Sequence, residues 1–189
     1  MKASTPQPSV QVQVVPSQFP RILERAGDDR TFRAQLERAN VILVPEEDYR
    51  GADGPVFPPG TENFFRYLQD NQADSLTVDL AVRDEDYLEL GLHGEELWIP
   101  TLVMIAGNQA QVSLLINLLS NYVYDWLKRG PSRKEGNVKA EVLLDGQKKT
   151  VSIKYEGPPG TFETAFSESL RAAFNEQSGG DSKAGSKKK

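Results

Sequence analysis

Along this chain the apolar positions switch between two periods. In "VQVQVV" (residues 10–15) they alternate with polar ones, which sets Val10, Val12 and Val14 on one face of a strand. This strand is able to pair with an edge of its own sheet or with another molecule. "FPRILERA" and "DDRTFRAQLERA" read as two short helices. In the second, Phe32, Leu36 and Ala39 recur at helical spacing, and Asp28 or Asp29 stands where a cap belongs. "NVILVP" is a compact apolar run, a buried strand stopped by Pro45. Alternation returns in "SLTVDLAV", with Leu76, Val78, Leu80 and Val82 on one face. It recurs in "DYLELGLHG", with Leu88, Leu90 and Leu92, and in "EELWIP". Only "RDED" and "HGE" separate these segments, so they predict an antiparallel meander.

Residues 107–128 predict a long helix. Val112, Leu115, Leu119, Tyr122 and Trp126 form one stripe, and Leu114 and Leu118 widen it. A helix this apolar belongs in the centre of the fold, covered on more than one side, and Gly130-Pro131 ends it. Its amides, among them Asn108, Asn117 and Asn121, argue against a membrane span. "NVKAEVLLDGQKKTVSIKYEG" then reads as a hairpin. Val138, Ala140, Val142 and Leu144 alternate up to a turn at Asp145-Gly146, and Val151, Ile153 and Tyr155 resume the apolar face. A closing helix carries Phe162, Phe166, Leu170 and Phe174 in line.

The tetrapeptide Pro-Pro-Gly-Thr occurs twice, at residues 58–61 and 158–161. The aromatic positions after it fall out of register, so no wider repeat supports a duplicated site. Phosphate loops use several glycines and a lysine, which neither copy has. Both copies predict a helix entry in which proline stiffens the approach, glycine turns it and threonine caps.

These elements sum to an α+β fold. A mostly antiparallel sheet, meander plus C-terminal hairpin, packs against the long central helix and the C-terminal helix. The single domain is expected at residues 19–177, between a flexible N-terminal segment (1–18) and a disordered basic tail (178–189).

Composition narrows the chemistry. The chain has 189 residues, no cysteine and one histidine. Thiolate nucleophiles, disulfides and Cys-based metal sites are excluded, and the composition fits a reducing cytoplasm. His93 lies in "LHGEE" and reads as a turn histidine rather than a general base. Trp98 and Trp126 sit on apolar stripes and read as core anchors. No cofactor is expected.

Charge is segregated. Residues 19–127 carry 8 Lys/Arg against 19 Asp/Glu, net −11, while residues 128–154 carry 8 against 3, net +5. The basic stretch comprises Lys128, Arg129, Arg133, Lys134, Lys139, Lys148, Lys149 and Lys154. Glu135, Glu141 and Asp145 interleave it, and exposed aromatics for base stacking are absent, so it predicts a protein contact more than a nucleic-acid one. The acidic part of a second copy is one available partner. The acidic clusters after two strands give the alternative. If Glu47, Asp48, Asp84 and Asp86 converge, they supply oxygen ligands for a divalent metal.

The long helix ending "YDWLKRG" with Trp126-Leu127 and Arg129, a strand, the "LLDGQKKTVSI" hairpin with Asp145-Gly146 and a closing helix stand in a recognisable order. Over residues 107–176 this resembles the effector-associated constant component modules of bacterial conflict systems. The resemblance implies a non-catalytic adaptor or sensor coupled to an effector in bacterial defence, with no catalytic residues. The expected function is therefore a cytoplasmic protein-interaction module that binds a protein partner or itself through the basic stretch and the Val10, Val12 and Val14 strand. A metal-dependent enzyme using the acidic loops is the first alternative. Nucleic-acid binding by the hairpin is the second.

Overall fold

The structure is a computed structural model that describes residues 7–178 apart from 48, 50, 51, 53, 74, 92–95, 106, 131, 132, 134, 147 and 148. The predictions at Asp48, His93, Lys134 and Lys148 lie outside the described residues.

Among the described residues the elements are built largely where the periodicity places them. The strands are β1 (Ser9–Val15), β2 (Val41–Val44), β3 (Val78–Leu80), β4 (Glu96–Trp98), β5 (Thr101–Met104), β6 (Asn137–Asp145) and β7 (Thr150–Gly157). The helices are α1 (Phe19–Arg25), α2 (Arg30–Arg38), α3 (Thr61–Asn71), α4 (Gln109–Lys128) and α5 (Pro159–Ser178), and Asp84–Asp86 forms a 3-10 turn. The fold is α+β around one seven-stranded mixed sheet.

Sheet order is β1-β7-β6-β5-β2-β3, with β4 on β6. The long ladders are antiparallel: β1 on β7, β7 on β6, and β2 on β5. The C-terminal hairpin forms as expected, but its turn is longer than the Asp-Gly dipeptide. Asp145 stays in the ladder opposite Thr150, and Gly146 N–H donates to the Lys149 carbonyl at 3.1 Å.

The meander does not form. β3 is short and lies parallel to β2, and β4 and β5 both run parallel to β6. Parallel neighbours need a crossover, and α3 and α4 supply it, giving two strand–helix–strand units on one face. Residues 88–90 contribute only a bridge of Glu89 to Phe57. β4 and β5 form one interrupted line along β6. Trp98 pairs with Lys139 but Leu102 with Val142, so the β4–β5 side holds one extra residue around Pro100, a bulge at the residue that cannot donate to a ladder.

The two sheet faces are covered unequally. α3, α4 and α5 bury the first face over Val41, Leu102, Met104, Val138, Val142, Ile153 and Tyr155. α4 is central among these helices, yet its outer side, with Asn117, Asn121 and Tyr124, is exposed to solvent. α1 and α2 cover only one end of the second face, over Ile42, Ala81, Val103 and Leu143. This accounts for breaks in alternation. Val142, Leu143 and Leu144 are all buried because helices lie on both sides there, as they do across β2. Asp145 fixes the covering end, since its carboxylate accepts from Ser17 Oγ at 2.6 Å and Phe19 N–H at 3.4 Å.

Both Pro-Pro-Gly-Thr copies start helices. In each, however, the threonine hydroxyl donates backward to the first proline's carbonyl, at 2.7 Å for Thr61 and 3.1 Å for Thr161. The expected forward cap is absent. Gly60 takes φ 84° just before α3, whereas Gly160 lies inside the first turn of α5 without a positive φ. The anion at the α3 N-terminus comes from elsewhere. The Glu89 carboxylate accepts from Gly60 N–H at 2.6 Å, Glu62 N–H at 3.0 Å and Tyr87 Oη at 2.5 Å. α2 follows the sequence reading, with Asp29 accepting from Thr31 and Phe32 N–H, both at 3.0 Å.

Candidate functional site: an open trough on the second sheet face

Strand alternation sends every second side chain of β1, β7 and β6 to the face opposite α5. Past the cover of α1 and α2 these side chains are polar: Gln11 and Gln13 from β1, Lys154 and Glu156 from β7, Lys139 and Glu141 from β6. They floor a trough of adjoining hollows of about 270, 190 and 570 Å³. α1 walls one end with Arg21 and Arg25, and Trp98 and Tyr49 stand at the other, their rings 5.5 Å apart. Trp98 therefore lines an open surface and is not the core anchor its apolar stripe predicted. Trp126 does pack against the main core, with the Arg133 guanidinium 5.2 Å over its ring.

The floor is a lattice of opposite charges. Lys154 lies 3.4 Å from Glu141, which also accepts from Ser152 Oγ at 2.7 Å. Lys139 reaches Glu96 at 3.0 Å and Glu156 at 3.9 Å. Glu47 pairs with Arg21 at 3.2 Å and with Arg25. Glu46 sits among these groups and accepts from Thr101 Oγ1 at 3.4 Å. Burial raises its carboxyl above the ordinary range and the Glu141 charge adds to this, while the Thr101 hydroxyl and Lys154 oppose it.

The structure scatters the predicted basic cluster. Lys139 and Lys154 share the trough. Lys149 lies at the hairpin end, 3.9 Å from Glu176. Lys128, Arg129 and Arg133 belong to the end of α4, where Lys128 faces Asp125 at 3.7 Å and covers the Tyr124 ring at 4.0 Å. The described lysines each have a carboxylate within 4 Å, so they do not offer the unbroken positive surface that a phosphate backbone requires.

The described acidic residues, Glu47, Asp84 and Asp86, do not converge either. Glu47 turns to α1, Asp86 faces Arg83 at 3.6 Å, and Asp84 lies in the 3-10 turn. Among the described residues no group of three or more His, Cys, Asp or Glu side chains is placed to hold a metal ion. Val10, Val12 and Val14 lie on the first face, opposite Tyr155, Ile153 and Val151 of β7.

The same alternation that singles out Lys139 and Lys154 also carries Glu141 and Glu156, and reading both signs together recovers the floor. Glu96, Thr101 and Trp98 come from the β4–β5 line, whose partner no local pattern names. No helix among the described residues is long and apolar enough to cross a membrane. No family model, curated protein or solved structure matches this chain.

Proposed function

We propose that this protein is a non-enzymatic interaction module that docks a partner protein on the open sheet face. The observation that supports this is the uncovered half of the second face, a concave floor of opposite charges beside Trp98 and Tyr49. Exposed ion pairs contribute only about 0.2–1 kcal/mol each. A partner of mixed charge therefore exchanges them for its own at small cost, while Trp98 supplies apolar area of the kind that anchors interfaces. A polyanion gains less, because each trough lysine brings a carboxylate with it. The resemblance of residues 107–176 makes an effector protein the first partner to try.

The test is affinity capture with the wild-type chain and with a Lys139→Glu/Lys154→Glu variant, followed by calorimetric titration of the recovered protein. A partner that loses about tenfold or more in affinity, about 1.4 kcal/mol, supports the reading. Binding that ignores both charge reversals and Trp98→Ala refutes it.

A further inference from the structure

β1 ends the sheet, and among the described residues no strand lies on its outer side. Between Pro8 and Pro16 its sequence is "SVQVQVV". Around Val12 the five residues from Val10 to Val14 read the same in both directions. An antiparallel copy with a twofold axis through Val12 sets Val12 opposite Val12, Val10 opposite Val14 and Gln11 opposite Gln13. We propose that two copies of this chain associate through this edge, β1 against β1, joining their seven-stranded sheets into one.

Side-chain exposure supports a second copy as the occupant. Val12 and Val14 are 55% and 67% exposed, although they share the face on which Ile153 and Val151 are buried. The cover that α5 gives to β7 stops short of them. A twofold-related β1 supplies the missing neighbours, since its own valines fall directly opposite and β-branched pairs across strands are favourable. On the other face Gln11 and Gln13 meet amide to amide. Shifting the axis to Gln11 or Gln13 breaks the match, because serine or a terminal valine then faces glutamine. The register is thus specified by the residues themselves.

The two sheet edges differ in how they are protected. Edge strands that stay single are short, charged or interrupted by proline. β3 fits that description, with three residues that include Asp79. β1 has seven residues with no charge and no proline inside them. A perpendicular twofold axis also keeps both helical layers on one side, so the two α5 helices flank the valine band. On the opposite side the polar troughs become continuous across the dyad. Dimerisation does not depend on the docked partner proposed above, and the pairing strand carries no ion pair, so it is insensitive to salt.

The test is sedimentation velocity with light scattering across protein concentration, on the wild type, Val12→Lys and Val12→Glu. The wild type is expected at twice the 21.0 kDa chain mass, unchanged between low and high salt. Each variant alone opposes like charges at the axis and is expected as a monomer with an unchanged circular dichroism spectrum. Mixing the two restores the dimer, which a purely structural defect does not do. Wild type at 21.0 kDa throughout, or a dimer that survives both substitutions, overturns the proposal. If the charged variants unfold, Val12→Cys decides. The chain has no other cysteine, and an axis through residue 12 holds the two β-carbons about 4.5–5.5 Å apart, within reach of a short bismaleimide. Coupling of the two thiols by that reagent into a covalent dimer supports the pairing, and its absence overturns it.

Discussion

Removing the Glu89 carboxylate tests whether α3 is held from outside its own sequence. That carboxylate gathers three donors: the N–H groups of Gly60 and Glu62 and the hydroxyl of Tyr87. In Glu89→Ala all three lose their acceptor, and the α3 N-terminus loses its negative charge. Losing a helix cap costs about 1 kcal/mol, and a hydrogen bond to a charged group about 1.5–3 kcal/mol. The site is only half-buried and the three bonds act as a unit, so they do not add in full. Glu89→Ala is expected to cost about 2–3 kcal/mol. Glu89→Gln keeps one acceptor oxygen but turns an amide donor toward N–H groups, and is expected to cost about half as much. At this chain length the alanine change lowers the melting temperature by about 4–12 °C. Urea unfolding followed by circular dichroism measures it, with Tyr87→Phe completing a double-mutant cycle. A loss under about 0.5 kcal/mol for Glu89→Ala, or a Tyr87→Phe effect equally large in both backgrounds, refutes the shared acceptor.

The two Pro-Pro-Gly-Thr copies predict opposite responses to alanine. Gly60→Ala meets no atom but forces a β-carbon onto φ 84°, and is expected to cost about 1 kcal/mol. Gly160→Ala, with open space and an ordinary helical conformation, is expected to stabilise by about 0.4–1 kcal/mol, both read from chemical denaturation. Glu46 predicts a pH effect. Its folded carboxyl titrates above the unfolded value of about 4.3, so the folded state holds that proton more tightly. Its contribution is favourable below that value and is lost as pH rises through the folded one. Glu46→Gln is therefore expected to exceed wild type in stability at pH 7 by a margin that narrows toward pH ~4.3 in a series of thermal melts. A constant margin contradicts this. Along β6, Leu143→Ala under α1 is expected to cost about 2–4 kcal/mol. Glu156→Ala on the open floor, where the carboxylate is mostly exposed, is expected to cost under about 1 kcal/mol in the same assay.

Local chemistry made much of this protein legible from its sequence. Period-2 alternation places β1, β6 and β7, because a strand's side chains must choose between two environments. The Asp29 cap and the α4 stripe follow equally from contacts within a few residues. The α+β class follows from those same elements. What the chain's local pattern could not decide is which strands become neighbours. "SLTVDLAV" satisfies an antiparallel meander and a parallel crossover alike, since both bury the same valines and leucines. α3 over the sheet selects the second. Nor could alternation show that α1 and α2 cover just one end of the second face. That uneven cover buries Leu143 and leaves Lys139, Glu141 and Lys154 open. Glu89 reaches the α3 N-terminus across 27 residues of chain, and no periodicity carries information over that distance. Short-range spacing thus determined the elements and their apolar faces. Only the packing of those faces against one another decided the topology, the trough and the free edge, because burial is shared among segments remote in sequence.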